Sequence, residues 1–199
     1  MVNKIESHVT GLTTFKYPHL QKADTKFNPD GEYKVTVIFE NGDGEVFSKL
    51  IEQEFKKSVE NAKLQNKGKS IKTANLPYKT NEDGQLEATF KLKAVGKSSK
   101  TGNTWTQKPA IFDAKGKPAD LTETIWGGSK GKISYQIIPY YTAMIGAGVS
   151  LRLKACQIID LVTGQTGGSS FGFSEEDGYE AKKQTQAEWQ ENETNQEDF

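Results

Sequence analysis

Four stretches of this chain alternate apolar and polar residues with a period of two, and that pattern limits what it can fold into. Tyr33, Val35, Val37 and Phe39 alternate with Lys34, Thr36 and Ile38. Ala88, Phe90, Leu92 and Ala94 alternate with Glu87, Thr89, Lys91 and Lys93, and Ile133, Tyr135 and Ile137 with Lys132, Ser134 and Gln136. Successive side chains of a strand point to opposite faces, so each stretch offers one side to a core and one to water. The longest stretch runs over about 149–161. There Val149, Leu151, Leu153, Ala155, Ile159 and Leu161 are expected to face one way and Ser150, Arg152, Lys154 and Asp160 the other.

One segment departs from this period. Phe47, Leu50, Ile51, Phe55, Val59 and Ala62 recur at three- and four-residue spacing, which predicts an amphipathic helix over about 45–66. Asp43 is the expected N-cap and Gly68 the expected stop. Dipeptides such as Asp30-Gly31, Asn41-Gly42, Asp83-Gly84 and Lys115-Gly116 mark the turns. Short strands and one helix in about 165 residues predict a mainly β fold, an OB-type five-stranded barrel with an inserted α-helix. A β-sandwich is the rival, and periodicity alone does not separate the two.

Only 34% of the 199 residues are hydrophobic, so part of the chain is expected to stay outside the core. The charge pattern says which part. Residues 1–170 hold 24 Lys/Arg against 17 Asp/Glu, whereas residues 171–199 hold two Lys against nine Asp/Glu. The expected organisation is an OB-type domain over 1–165 and a flexible, disordered acidic tail over 166–199, joined through Gly164, Gly167 and Gly168. A basic body with an acidic tail of opposite charge fits a polyanion binder that carries its own competitor; a tail that merely aids solubility fits the charges equally well.

Catalysis has little support. His8 and His19 are the only histidines and show no paired-ligand spacing. The single cysteine, Cys156, forms no internal disulfide and reads as a structural thiol. Two Gly-Lys-Ser triplets, at Gly68 and Gly96, have Lys63 and Lys91 where a phosphate loop needs a glycine. No run of about 18 apolar residues and no signal segment appears. The expectation is therefore a soluble, intracellular protein that is not an enzyme, with no cofactor, no metal and no membrane partner.

Binding chemistry is better represented. Lys34 follows Tyr33, Lys91 and Lys93 flank Leu92, and Lys97, Lys100 and Lys108 surround Trp105 in an expected hairpin. Tyr140-Tyr141 ends one strand, at Pro139, where the chain is expected to turn out of the sheet; Arg152 and Lys154 line the polar face of the next. Cations that neutralise phosphates and aromatic faces that stack bases are what a sequence-tolerant single-strand binder needs. One arginine in the chain argues against bidentate reading of guanines.

The stretch from Ile125 to Leu161 resembles the single-stranded DNA-binding proteins of podovirus-type phage replisomes: a Gly-Gly-Ser-Lys turn ending at Lys130, a strand ending in Ile-Pro-Tyr, then Gly-Ala-Gly-Val-Ser-Leu-Arg-Leu. Glu32-Tyr33-Lys34-Val35, Phe90-Lys91-Leu92-Lys93 and Phe112-Asp113-Ala114-Lys115-Gly116-Lys117 are similar too, as is the terminal Asp198-Phe199. The resemblance covers about 32–40, 86–161 and the C-terminus. It implies an OB-fold, a homodimer, and binding of single-stranded DNA without catalysis, in phage DNA replication, recombination and repair in the cytoplasm of an infected bacterial host. It also implies a tail, ending at Glu197, Asp198 and Phe199, that contacts the replicative DNA polymerase and the helicase–primase. The base-stacking Pro-Tyr element of that family falls on Pro139-Tyr140. Where the family continues with Lys and Trp, this chain has Tyr141 and Thr142, so Tyr141 is the candidate for a second stack. The expected DNA-contacting residues are Lys34, Lys91, Lys93, Trp105, Lys108, Lys130, Tyr140, Tyr141, Arg152 and Lys154. An RNA-binding OB module and a structural or assembly β-protein are the competing readings.

Overall fold

The computed structural model describes residues 5–40, 42–68, 70–98 and 101–164, with 174, 177 and 178. The chain divides into one unit ending at Gly164 and a second from Gln165; the tail residues Phe171, Phe173, Tyr179, Trp189, Glu197, Asp198 and Phe199 lie outside the described residues. Ten strands and one helix follow in order: β1 (Ser7–Val9), β2 (Thr13–Asp24), β3 (Glu32–Phe39), α1 (Asp43–Gln65), β4 (Tyr78–Thr80), β5 (Leu86–Lys93), β6 (Val95–Lys97), β7 (Thr104–Thr106), β8 (Ala110–Phe112), β9 (Lys130–Thr142) and β10 (Gly146–Asp160).

Five of these strands close a ring. β2 pairs with β3, β3 with β5, β5 in parallel with β10, β10 with β9, and β9 with β2. This is the expected five-stranded OB-type barrel, with the helix inserted between its second and third strands. The register is steeply staggered. Lys130 lies opposite Thr14, Thr14 opposite Ile38, and Ile38 opposite Glu87; carried on past the Lys91–Arg152 pair, the path re-enters β9 near Tyr140. Such stagger closes a barrel of few strands, and it sets the two ends of β9 far apart along the barrel.

The barrel interior is filled by Phe15, Val35, Val37, Phe90, Ile133 and Leu153, all fully buried. Each such side chain contributes about 1.5–3 kcal/mol relative to exposure. Helix α1 adds Phe47 and Ile51 from its apolar stripe. The Phe47 ring meets Phe39 of β3 at 4.5 Å, Tyr135 of β9 at 5.9 Å and Phe90 of β5 at 6.1 Å between centroids, tying the helix to three barrel strands. The buried Ser58 hydroxyl, further along the helix, donates to the Gly148 carbonyl at 2.8 Å.

Three local expectations are corrected. The N-cap is Gly42, not Asp43. Gly42 sits at φ 80°, a left-handed conformation that glycine adopts without strain, and Asp43 becomes the first helical residue, its carboxylate packed over Gly11. In β10, register shifts at Lys154, so the alternation changes phase: Cys156 and Ile158 turn inward, while Ile159 is 43% exposed. A bulge inserts one residue and sends every later side chain to the other face. Finally, β9 does not leave the sheet after Pro139; Tyr140 and Tyr141 stay paired with Gly148 and Ala147.

Candidate nucleic-acid interface

Alternation in the barrel wall decides where the cations go. With Val35, Phe90, Leu92, Leu151 and Leu153 inside, Lys34, Lys91, Lys93 and Arg152 must point outward. Register then aligns them. Lys34 is directly opposite Lys91 across β3–β5, and Lys91 is directly opposite Arg152 across β5–β10. Neighbouring strands lie about 5 Å apart, so three cations form a row about 10 Å long across three strands. Lys93 stands two residues further along β5, and Lys154 projects from the bulge of β10.

Two of these cations are held by carboxylates of the same surface. Lys34 Nζ pairs with Asp24 at 2.5 Å and Lys91 Nζ with Glu32 at 3.2 Å. The hydrogen bond from Lys34 holds the Asp24 carboxyl below the usual aspartate range. Lys93, Lys108, Arg152 and Lys154 form no ion pair among the described residues. Partly exposed pairs contribute little, about 0–1 kcal/mol each, so an incoming polyanion can replace the carboxylates at small cost.

The β6–β7 hairpin brings Trp105 and Lys108 to the end of β5. Trp105 lies opposite Gly96, with its ring so close that a Cβ at Gly96 would fall 2.4 Å from it. The Gln107 amide donates to the Lys93 carbonyl at 2.9 Å, and its backbone N–H donates to Ala94 at 2.8 Å. The hairpin is thereby anchored beside Lys93, with Trp105 49% exposed.

The remaining expected residues stand apart from this row. Tyr140 packs across Gly148, where Ala74 also crowds the position a Cβ would take, and is half-buried. It lies four residues along β9 from Gln136, the partner of Arg152, or about 13 Å at strand rise. Tyr141 is 37% exposed beside the turn that carries Met144 and Ile145. Lys130 begins β9, six residues the other way, and pairs with Glu40 at 3.0 Å. Glu40 also accepts from the Thr14 hydroxyl at 2.6 Å. That network staples β9, β2 and the end of β3 and is remote from the cation row.

Three further exposed aromatics stand outside the expected DNA contacts, although Lys16 between Phe15 and Tyr17 follows the same basic–aromatic interleaving: Tyr17 at 75%, Phe27 at 83% and Trp126 at 54%. A lysine precedes two of them, and Lys16 and Lys26 lie 5.9 and 5.4 Å from the Tyr17 and Phe27 ring centres. That Lys–aromatic pairing was the available signal. Among the described residues no group of His, Cys, Asp and Glu could hold a metal ion, and no helix is long and apolar enough to cross a membrane. Burial pushes the Cys156 thiol up to about 12, which leaves it protonated and unreactive at neutral pH.

Residues 12–161 match the family model described as single-stranded DNA-binding protein, bacteriophage T7. The chain belongs to that family. It is 30% identical to the single-stranded DNA-binding protein of Enterobacteria phage T3 over 96% of this chain and 94% of that one. It is also 30% identical to that of Escherichia phage T7, over 80% and 75%. The crystal structure of the phage T7 protein superposes with a TM-score of 0.73 at 26% identity, covering 90% of this chain and all of that one. The bacteriophage Enc34 protein in complex with single-stranded DNA shares the fold, at TM-score 0.57 and 13% identity over 77% and 86% of the two chains. Family members are named for binding, not for catalysis.

In this family member Glu87 completes the outer surface. It lies on the outward side of β5 yet is only 3% exposed, roofed by Lys16 at 2.6 Å and Lys79 at 3.7 Å. The Lys16 hydrogen bond, larger than the opposing effect of burial, holds its carboxyl below the ordinary 4.5. A carboxyl lowered on folding stabilises fully above that value and loses the contribution as pH falls through the folded value. Glu87→Gln should therefore be less stable than the parent at about pH 7, with a narrower gap at an acid pH below the ordinary 4.5. Urea melts at the two pH values check this; a gap that stays constant contradicts it.

Proposed function

We propose that this chain coats and protects single-stranded DNA through the outer face of β3, β5 and β10. The reading is carried by the in-register row of Lys34, Lys91 and Arg152. Phosphates spaced along a strand can engage these cations, Lys93 and Lys154 without any base-specific contact. Trp105 and Lys108 extend the surface from the hairpin, with Trp105 stacking a base; Tyr140 and Tyr141 would stack at the far end of the β9–β10 hairpin. Names of the relatives support DNA over RNA. The role we infer is in phage DNA replication and recombination, including annealing, in the cytoplasm of the infected host, with the chain acting as a homodimer. The acidic segment from 166 to 199 competes with DNA for the basic face, and Phe199 with Glu197 and Asp198 engages the replicative polymerase and the helicase–primase.

Four or five phosphate contacts predict a slope of about −3 for the log of the binding constant against log salt, because a single strand releases about 0.7 counterion per contact. Arg152→Ala should reduce the slope by about 0.7 and weaken binding. Lys130→Ala should leave the slope unchanged and lower the melting temperature. Fluorescence titration from low to high salt checks both. Equal slopes in the two variants, or a flat wild-type dependence, would contradict the assignment.

The tail reading separates two effects. Truncation after Gly168 removes an intramolecular competitor held at high effective concentration, so affinity for single-stranded DNA should rise, most at low salt. Phe199→Ala should leave DNA affinity unchanged and weaken binding to the cognate polymerase. A truncated chain that binds DNA no better than the intact one overturns the competition, and a loss of DNA affinity in Phe199→Ala overturns the division of roles.

A further inference from the structure

A second aromatic site adjoins the cation row on its β2 side. Between Lys16 and His19 two residues of β2, Tyr17 and Pro18, oppose the single residue Val35 between Thr36 and Lys34 of β3, so they bulge out of the ladder. Tyr17 takes φ 48°, a left-handed conformation unusual for a residue with a bulky side chain. The strained backbone delivers a ring that is 75% exposed. Facing the bulge is the loop over 124–128, held to β2 by the Gly128 N–H on the Phe15 carbonyl at 2.9 Å and by the Phe15 N–H on Ser129 at 2.8 Å.

Trp126 stands on that loop in a fixed position. Its N–H donates to the Val162 carbonyl at 3.0 Å, and its carbonyl accepts from the buried Ser129 hydroxyl at 2.8 Å. The ring packs on Gly164, where a Cβ would lie 2.6 Å from it, yet it remains 54% exposed. Bulge and loop enclose a groove of about 800 Å³ whose lining includes Tyr17, Trp126, Lys16, His19 and Lys22 and no Asp or Glu. Neither Tyr17 nor Trp126 contacts another aromatic ring among the described residues. The volume lies within the ordinary range for a pocket that takes a small organic ligand.

We infer that this groove is a nucleobase subsite, in which bases of a single strand stack on Tyr17 and Trp126 while the flanking phosphates run onto Lys22 and Lys34. Continuity decides the occupant. His19 lies opposite Lys34, which lies opposite Lys91, which lies opposite Arg152, so a strand leaving the cation row along β2 enters the groove. Charge agrees: a lining with two lysines, a histidine and no carboxylate suits a polyanion. Lys16 is held by Glu87, leaving Lys22 as the groove's cation without an ion pair among the described residues. Stacking on rings is tolerant of sequence, as a coating protein requires. The inference rests on the single-strand reading above and adds a place where bases, and not phosphates alone, are held.

The test uses the full chain with Trp105→Phe and Trp189→Phe, so that Trp126 is the sole tryptophan. It is titrated with a thymidine oligonucleotide and with an abasic oligonucleotide of equal length. The thymidine strand should quench Trp126 and the abasic strand should not. In the otherwise unaltered chain, Tyr17→Ala and Trp126→Ala should each weaken thymidine-strand binding by about five- to a hundred-fold and leave abasic binding unchanged. Because Trp126 packs on Gly164, thermal melting is recorded alongside; the exposed Tyr17 variant keeps the test valid if Trp126→Ala unfolds. Quenching absent while the thymidine strand binds normally, or both variants binding both strands as the parent does, overturns the subsite. A parent chain that binds neither strand overturns the single-strand reading itself, a result distinct from the first.

Discussion

A small closed barrel leaves its wall residues almost no choice. The ring of β2, β3, β5, β10 and β9 has one interior, too narrow to solvate a charge, and desolvating an unpaired charge is far more costly than any single contact can offset. Every lysine in an alternating strand is therefore forced outward. Hydrogen-bond register then fixes which lysines stand side by side. The row of Lys34, Lys91 and Arg152 follows from closure and register, and the proposed DNA surface depends on it.

The same surface is only partly discharged by its own acids. Asp24 and Glu32 pair with Lys34 and Lys91, whereas Arg152, Lys93 and Lys154 have no ion-pair partner among the described residues. Pairs of this kind keep the side chains extended over the sheet without binding them tightly. Glu87 differs, because it is buried beneath Lys16 and Lys79. Removing it leaves two ammonium groups crowded over the wall, which makes it a structural carboxylate inside a binding face.

Where alternation was unbroken, the sequence was legible. Val35, Val37, Phe90, Ile133, Tyr135 and Leu153 are buried as their spacing requires, and the stripe led by Phe47 and Ile51 is the buried face of α1. Irregularity hid the rest. β2 has no clean period because Tyr17 and Pro18 bulge from it, so its twelve residues gave no strand signal. The shift at Lys154 reversed the facing of Ile159 for the same reason. Gly42 took the helix cap because the turn before α1 needs a positive φ, a requirement that composition does not display. Lys130 sits within a motif of the right chemistry, yet its partner Glu40 is ninety residues away in sequence and only the folded register brings them together. Both irregular sites carry exposed or charged side chains, as expected where local rules yield to function.

The account stands most directly on which amides of the barrel sense a bound strand. Two-dimensional amide NMR of the uniformly labelled chain, titrated with a short thymidine oligonucleotide at low salt, reads this residue by residue. The account predicts the largest shifts at Lys34, Lys91, Lys93 and Arg152, extending to Tyr17 and Trp126, with Lys130 and the exposed face of α1 unmoved. Shifts centred on Lys130, Glu40 or α1, with the β3–β5–β10 face silent, would contradict it.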